Sequence, residues 1–365
     1  MNAPNDRFAA DAWCGLPPLW NSDEDDELVC SQRRQETHDV VTFLFRARRP
    51  VLFRFLPGQF LTLELEIDGE AINRCYTISS PPTRPDTLSI TVKRVPGGKV
   101  SNWLHDHLQP GMSLRALGPS GEFSASLHPA AKYLFLSGGS GVTPLMSMSR
   151  SVHDLAEPCD IVFVHSARTP KDIVFRRELS LLAINQPGFR TAFVCEQLGD
   201  EPDWAAPTGR LTQSLLGAIA PDFAEREIFC CGPEPYMAAV RALLEAAGFD
   251  MRRYHEESFN FGAAAEEEAA PAVATEVAEG FDVQFAKSGV SVRCAPEQTV
   301  LEAARAAGLR LPVSCTKGMC GTCKSKLTSG SVDMKHGGGI RQREIDQGMF
   351  LPCCSKPLSD LVLDR

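Results

Sequence analysis

Three cysteines, Cys315, Cys320 and Cys323, crowd the glycine-bearing stretch SCTKGMCGTCKSK, and their spacing constrains the chain more than any other feature. C-x4-C-x2-C followed at a distance by a further cysteine is the pattern of a [2Fe–2S] site, where two bridged irons take two thiolates each. Gly318 and Gly321 let the backbone wrap closely and turn amide N–H groups toward the sulfurs. The fourth thiolate must come from FLPCCSKP, residues 350–357, where Cys353 and Cys354 are both candidates. If they lie in a strand, their side chains point to opposite faces and only one reaches the irons. Zinc fits less well, because structural zinc sites pair two C-x2-C knuckles or mix cysteine with histidine. Structural free thiols are the remaining alternative.

At 365 residues the chain exceeds one ordinary core and suits two or three domains. Its thirteen cysteines are an odd number, and MNAPNDRFAADAW has no basic segment leading into an apolar one. Thiol or metal chemistry in a reducing cytoplasm is therefore expected, rather than a secreted disulfide scaffold. No apolar run approaches the ~20 residues of a membrane span, so no membrane partner is expected. The net charge of −9 is unevenly spread: residues 281–365 carry twelve Lys/Arg against eight Asp/Glu, while residues 1–28 carry seven acids and one base. So modest a basic excess does not suit nucleic acid. A docking face for an acidic protein is the functional reading, and an idle solvated surface the bland one.

Composition divides the chain. Residues 1–29 read as an N-terminal arm. Residues 30–128 alternate polar and apolar in runs such as DVVTFLFRA, GQFLTLELEI and TLSITVKRV, broken by proline and glycine. That pattern predicts an antiparallel barrel or sandwich. Residues 129–262 change to short apolar strands, KYLFLSG, CDIVFVHS, RTAFVCEQ and REIFCCG, with helical stretches between them. A parallel α/β sheet follows. Residues 263–280, AAAEEEAAPAVATEVAEG, cannot bury a core and read as an acidic linker. Residues 281–365 open on a hairpin and a helix capped by Thr299 and ended by Gly308, with the cysteine loop directly after.

Four motifs stand in one order upstream of the cysteines. RCYTISS, residues 74–80, resembles the R-x-Y-[ST] segment of the ferredoxin-NADP reductase superfamily, and VPGGKVSNWL, residues 95–104, resembles its second flavin segment. LSGGSGVTP, residues 136–144, is similar to the superfamily's G-G-x-G-x-T-P, and FCCGPEPYM, residues 229–237, to its C-G-P-x-x-M. The resemblance covers residues 30–365. It implies a flavin-binding β-barrel, a parallel-sheet nicotinamide domain and a C-terminal β-grasp, plant-type ferredoxin domain. In plant-type ferredoxins a proline stands three residues beyond the last ligand. The run Cys353-Cys-Ser-Lys-Pro357 fits that rule, so the implied metal ligands are Cys315, Cys320, Cys323 and Cys353.

By the same resemblance Arg74 pairs with a flavin phosphate, Tyr76 lies against the isoalloxazine and Thr77 bonds near its reactive edge. Ser79, Lys93, Gly98 and Val100 join the flavin set, with Ser101 expected to cap a helix whose N-terminus faces a phosphate. Gly138, Gly139, Gly141 and Thr143 would cradle a dinucleotide, and Cys231, Gly232 and Pro233 would lie beside the nicotinamide. YHEESF, residues 254–259, resembles the end of this module, where Glu257 and Phe259 approach the flavin. Thr77, Cys231 and Glu257 are the implied catalytic residues. Ser166 and Arg168 suit a 2′-phosphate, but Asp172 stands close by; NADH and NADPH both stay open, with NADH favoured. FAD is favoured over FMN.

TVKRVPGGKVSNWLHD, VHSARTPKDI and YHEESF together look like reductase components of Rieske-type monooxygenases that demethylate glycine betaine and related quaternary ammonium compounds. The implied activity is NAD(P)H-dependent electron transfer through flavin and [2Fe–2S] to a separate oxygenase docked on the basic ferredoxin domain. A reductase for hybrid-cluster protein is the alternative enzyme. A bare electron carrier or redox sensor with a vestigial nicotinamide site is the alternative of another class, and the intact glycine and C-G-P motifs argue against it.

Overall fold

Alternation of buried and exposed side chains organises the first domain of the computed structural model, which describes residues 15, 17–201, 203–259, 280–309, 311, 313 and 315–365. Strands β1 (Glu27–Thr37), β2 (Val40–Ala47), β3 (Phe60–Ile67), β4 (Glu70–Thr77) and β5 (Leu88–Lys93) precede helix α1 (Lys99–His107) and strand β6 (Ser113–Ser120). They form one antiparallel sheet in the order β4-β3-β6-β1-β2-β5, and an antiparallel bridge between Ile78 and Ile90 brings its ends together. Inside this barrel Phe43, Phe45, Leu61 and Leu63 are wholly buried. Of the expected arm, Trp20 is buried against Phe53, so the end nearest β1 belongs to the barrel.

The second domain repeats strand and helix: β7 (Lys132–Gly138), α2 (Val142–Asp154), β8 (Asp160–Ala167), α3 (Arg176–Asn185), β9 (Phe189–Cys195), α4 (Gln213–Ile219), β10 (Glu227–Gly232), α5 (Glu234–Ala246) and β11 (Tyr254–Ser258). The five strands are parallel in the order β11-β10-β7-β8-β9. Apolar clusters cover both faces of the sheet, which is why its strands read as continuous apolar runs. The expected linker lies outside the described residues except for Gly280.

In the third domain β12 (Phe281–Phe285) and β13 (Val290–Cys294) make the hairpin, and α6 (Val300–Ala306) crosses the sheet. Thr299 accepts the Glu302 N–H while the Glu302 carboxylate returns to the Thr299 N–H, a complete capping box. Strands β14 (Ser325–Ser329) and β15 (Val332–Met334), helix α7 (Gln342–Asp346) and strands β16 (Met349–Phe350), β17 (Ser355–Pro357) and β18 (Leu361–Leu363) complete it. The sheet order β13-β12-β18-β14-β16, with β12 and β18 parallel beneath one helix, is a β-grasp. Among the described residues no helix is long and apolar enough to cross a membrane.

Candidate electron-transfer site

The loop between α6 and β14 turns its amides inward around Cys315. The Cys315 sulfur accepts N–H groups from Lys317 at 3.4 Å, Met319 at 3.3 Å and Cys320 at 3.3 Å, and the Cys320 sulfur accepts the Cys315 N–H at 3.4 Å. Gly321 makes the close turn with φ +68, where an added Cβ would sit 2.5 Å from the Gly339 oxygen. Across the loop, the Cys323 and Cys353 sulfurs lie 3.3 Å apart. Cys353 and Cys354 occupy a single 3-10 turn rather than a strand, yet they still part: the Cys354 thiol points at the Leu351 carbonyl. The hydrogen bond from Cys323 holds the Cys353 thiol down at about 4, and the neighbouring Cys315 holds Cys320 far below the ordinary thiol range. Sulfurs converging in this way, with amides aimed at them, fit an anionic iron–sulfur centre, whose ligands are thiolates.

A second feature opens in the barrel, a cavity of about 730 Å³. Arg74, Tyr76 and Thr77 of β4 line one wall, and Thr91 and Lys93 of β5 another. The turn into α1 contributes Gly98, Val100 and Ser101, and the second domain contributes Ser140, Thr143 and Phe259. Size, a helix N-terminus and an arginine fit a flavin nucleotide. Cavity and cysteine loop meet at β4. Cys75 lines the cavity and also packs in one buried cluster with Phe60 and Cys320.

Comparison with known proteins matches residues 27–125 to the oxidoreductase FAD-binding domain, 135–242 to the oxidoreductase NAD-binding domain and 283–358 to the 2Fe-2S iron–sulfur cluster binding domain. The glycine betaine monooxygenase reductase subunit of Pseudomonas aeruginosa is 51% identical over 343 residues, 92% of this chain and 94% of that one. The chain belongs to the flavin–nicotinamide–[2Fe–2S] reductases of the ferredoxin-NADP reductase superfamily. Another relative, the stachydrine N-demethylase reductase subunit of Rhizobium meliloti, is 44% identical over 93% of this chain and 96% of its own. An intact type IV self-sufficient cytochrome P450 monooxygenase superposes with TM-score 0.59 at 26% identity, over 99% of this chain and 44% of that one. Phthalate dioxygenase reductase shares the fold across 94% of this chain and 98% of its own, with TM-score 0.55 at 24% identity.

In this reductase the glycine loop and the C-G-P segment touch. A Cβ on Gly141 would lie 2.1 Å from the Cys231 oxygen, so only glycine lets the two approach. Gly138 ends β7, Gly139 and Gly141 lie in the turn into α2, and Thr143 in its first turn donates to the Ser140 carbonyl at 3.1 Å. Cys231 is wholly buried and burial pushes its thiol well up, which keeps it a neutral thiol. Gly232 ends β10 and Pro233 caps α5. Glu257 stands opposite Cys231 in the parallel register. One of its carboxylate oxygens is buried without a hydrogen-bond partner, and desolvation raises the group to about 8.

Three expectations shift. Ser101 lies inside the first turn of α1 and Gly98 holds the cap position; the Ser101 hydroxyl instead accepts the Val95 N–H at 3.1 Å, bracing the glycine turn. Ser79 does not line the cavity. It is fully buried, 2.9 Å from the Thr91 hydroxyl and 3.0 Å from that of Ser89, and so supports the wall from behind. Arg168 is exposed beyond Ser166 at the end of β8, with its guanidinium 3.1 Å from Asp172 and 3.5 Å from Asp39. Sequence reasoning also missed Thr62, Asn73 and Cys75. Thr62 donates to the Cys320 carbonyl at 2.9 Å and Asn73 to that of Gly321 at 3.2 Å. They look like ordinary strand residues until the third domain is placed on them.

Proposed function

We propose that this reductase carries electrons from NAD(P)H to a Rieske-type oxygenase component that demethylates glycine betaine or a related quaternary ammonium compound. Similarity along nearly the whole chain, at 51% and 44% identity, to reductase subunits of a glycine betaine monooxygenase and a stachydrine N-demethylase supports the choice of partner. The observation that carries the relay is the buried contact of Cys75, on the flavin strand, with Cys320 of the cysteine loop. Bound flavin supplies the exchange between the electron pair of a nicotinamide and the single electrons an iron–sulfur centre accepts.

The chain's own work is to bind, orient and exclude water. Arg74 and the N-terminus of α1 hold phosphate, Tyr76 and Phe259 enclose the ring, and Thr77 orients its edge. Gly141 brings the dinucleotide loop onto Cys231. Cys231 and Glu257, both neutral at ordinary pH, give the nicotinamide an uncharged wall beside the flavin cavity. NADH is the preferred donor, because Arg168 already answers to two carboxylates. The oxygenase docks on the ferredoxin domain through cations left free by the barrel, with exposed Lys317 and Lys335 flanking the cysteine loop. Reconstitution with a Rieske oxygenase component, NADH, oxygen and glycine betaine should release formaldehyde. No formaldehyde from glycine betaine or related quaternary amines, with NADH still consumed when a one-electron acceptor is present, would refute the substrate class.

A further inference from the structure

The variable position of the R-x-Y-T segment is a cysteine, and neither the flavin reading nor the ligand set uses it. Cys75 is buried to 3% exposure on β4, between cavity-lining Arg74 and Tyr76. Its side chain packs in one buried cluster with Cys320, 245 residues away in sequence. The Thr62 hydroxyl lies 3.4 Å from the Cys75 sulfur and gives its one proton to the Cys320 carbonyl at 2.9 Å. The Cys75 S–H therefore has a hydroxyl oxygen within reach and a ligand residue, Cys320, packed beside it in the same buried cluster. Once Cys320 is an iron-bound thiolate it is the charged acceptor, and charge-assisted bonds are the stronger ones.

We propose that Cys75 is a positioning residue that makes the potential of the iron–sulfur centre depend on domain docking. Hydrogen bonds to cluster sulfurs are among the levers on potential, and a donated proton favours the more negative, reduced form. When the ferredoxin domain sits on the barrel, the Cys75 S–H stabilises the centre as it takes one electron; no bond forms or breaks. When the domain leaves, that donor stays behind on β4. The potential falls, and the reduced centre becomes the stronger donor to its next acceptor. The same contact thus aids loading while docked and delivery once released.

The inference rests on the relay reading, and the two fail differently. Holoprotein lacking iron and acid-labile sulfide would sink the relay, whereas an intact centre with an unmoved potential sinks only this proposal. The experiment is redox titration of the centre in the full-length holoprotein, with its electron paramagnetic resonance spectrum, in Cys75→Ala, Cys75→Ser and Arg341→Ala. Arg341 lies at the domain interface, bonded to Ser22, Glu64 and Ala116, and its loss should undock the domain. Cys75→Ala and Arg341→Ala should each lower the reduced fraction at fixed potential about tenfold, about 59 mV for one electron. The double variant should shift no further, since both remove one hydrogen bond. Cys75→Ser, which keeps a donor, should stay within about twofold of wild type. A wild-type potential in Cys75→Ala, a serine shift as large as alanine's, or additive shifts in the double variant overturns the proposal. Should Cys75→Ala lose the centre, an unshifted Arg341→Ala overturns it alone.

Discussion

Arg341 of the ferredoxin domain is wholly buried, with its guanidinium 2.9 Å from the Glu64 carboxylate on the flavin barrel. The same guanidinium donates to the Ser22 and Ala116 carbonyls, so each of its faces meets the first domain. Lys324 reaches Glu64 at 3.2 Å and Glu344 at 2.6 Å, and Arg343 pairs with Asp26. Part of the basic excess that suggests partner docking is thus spent inside the chain, on Glu64 and on an acid of the DEDDE run. A buried ion pair gives little net stability, but losing one partner strands the other.

Glu64→Gln should therefore release the ferredoxin domain. It removes the barrel carboxylate that Arg341 and Lys324 share, leaving them Glu344 of their own domain and, for Arg341, the more distant Asp26, at a cost on the order of 2 kcal/mol to the docked form. Small-angle scattering should show a larger radius of gyration, and amide exchange should quicken at residues 114–117 and 339–344. Added salt alone should do much less, because buried pairs are weakly screened. A compact Glu64→Gln protein would show that apolar contacts around Cys320 hold the domains by themselves.

Cys353 and Cys354 separate two explanations of the C-terminal cysteine pair. Cys353→Ser should lose iron and the visible absorbance of the centre, because its sulfur faces Cys323 at 3.3 Å. Cys354→Ser should keep both, since the Cys354 thiol turns to the Leu351 carbonyl. Iron and sulfide analysis of anaerobically purified variants decides; equal loss in both would mean that the turn needs both thiols to fold.

The domain order was legible because each domain writes its own period: alternation in the barrel, apolar runs in the parallel sheet, and cysteine spacing in the β-grasp. The choice of Cys353 rests on the proline that follows it, Pro357; the strand argument offered beside it does not apply, because the pair occupies a 3-10 turn. Domain contacts were not legible. Arg341 reads as a surface cation and Thr62 as a strand former, and nothing local distinguishes a residue facing solvent from one facing a domain some 250 positions away. The place of Ser79 behind the wall and the loss of the cap at Ser101 were not legible for a related reason. Motif position does not show which neighbouring hydroxyls and amides of the barrel take those two side chains, although Ser101 still lines the cavity.

Glu257 should impose a pH dependence. Its folded-state value of about 8 lies above the ordinary 4.5, so the folded chain holds a proton there that the unfolded chain releases. This contribution is fully present below about pH 4.5, declines above it and is gone once pH passes about 8. The loss is on the order of 5 kcal/mol. Thermal unfolding of the nicotinamide domain should weaken across that window in wild type. Glu257→Gln, neutral throughout, should flatten the slope, and an equal slope in both would place the titration elsewhere.

Arg168 offers the last test, on nucleotide choice. Asp172 takes the Thr169 N–H and hydroxyl at 3.0 and 2.7 Å while also pairing with Arg168 at 3.1 Å. Asp172→Asn keeps an oxygen for Thr169 but removes the nearer of the two charges on the guanidinium, leaving Asp39 at 3.5 Å. An exposed pair is worth up to about 1 kcal/mol, so freeing Arg168 for a 2′-phosphate should raise kcat/KM for NADPH by up to about fivefold. NADH, which has no such phosphate, should change by less than about twofold. Steady-state reduction of a one-electron acceptor with each nucleotide measures both. A rise for NADH equal to that for NADPH would mean that Arg168 lies away from the 2′ position and that Asp172 acts only through the turn.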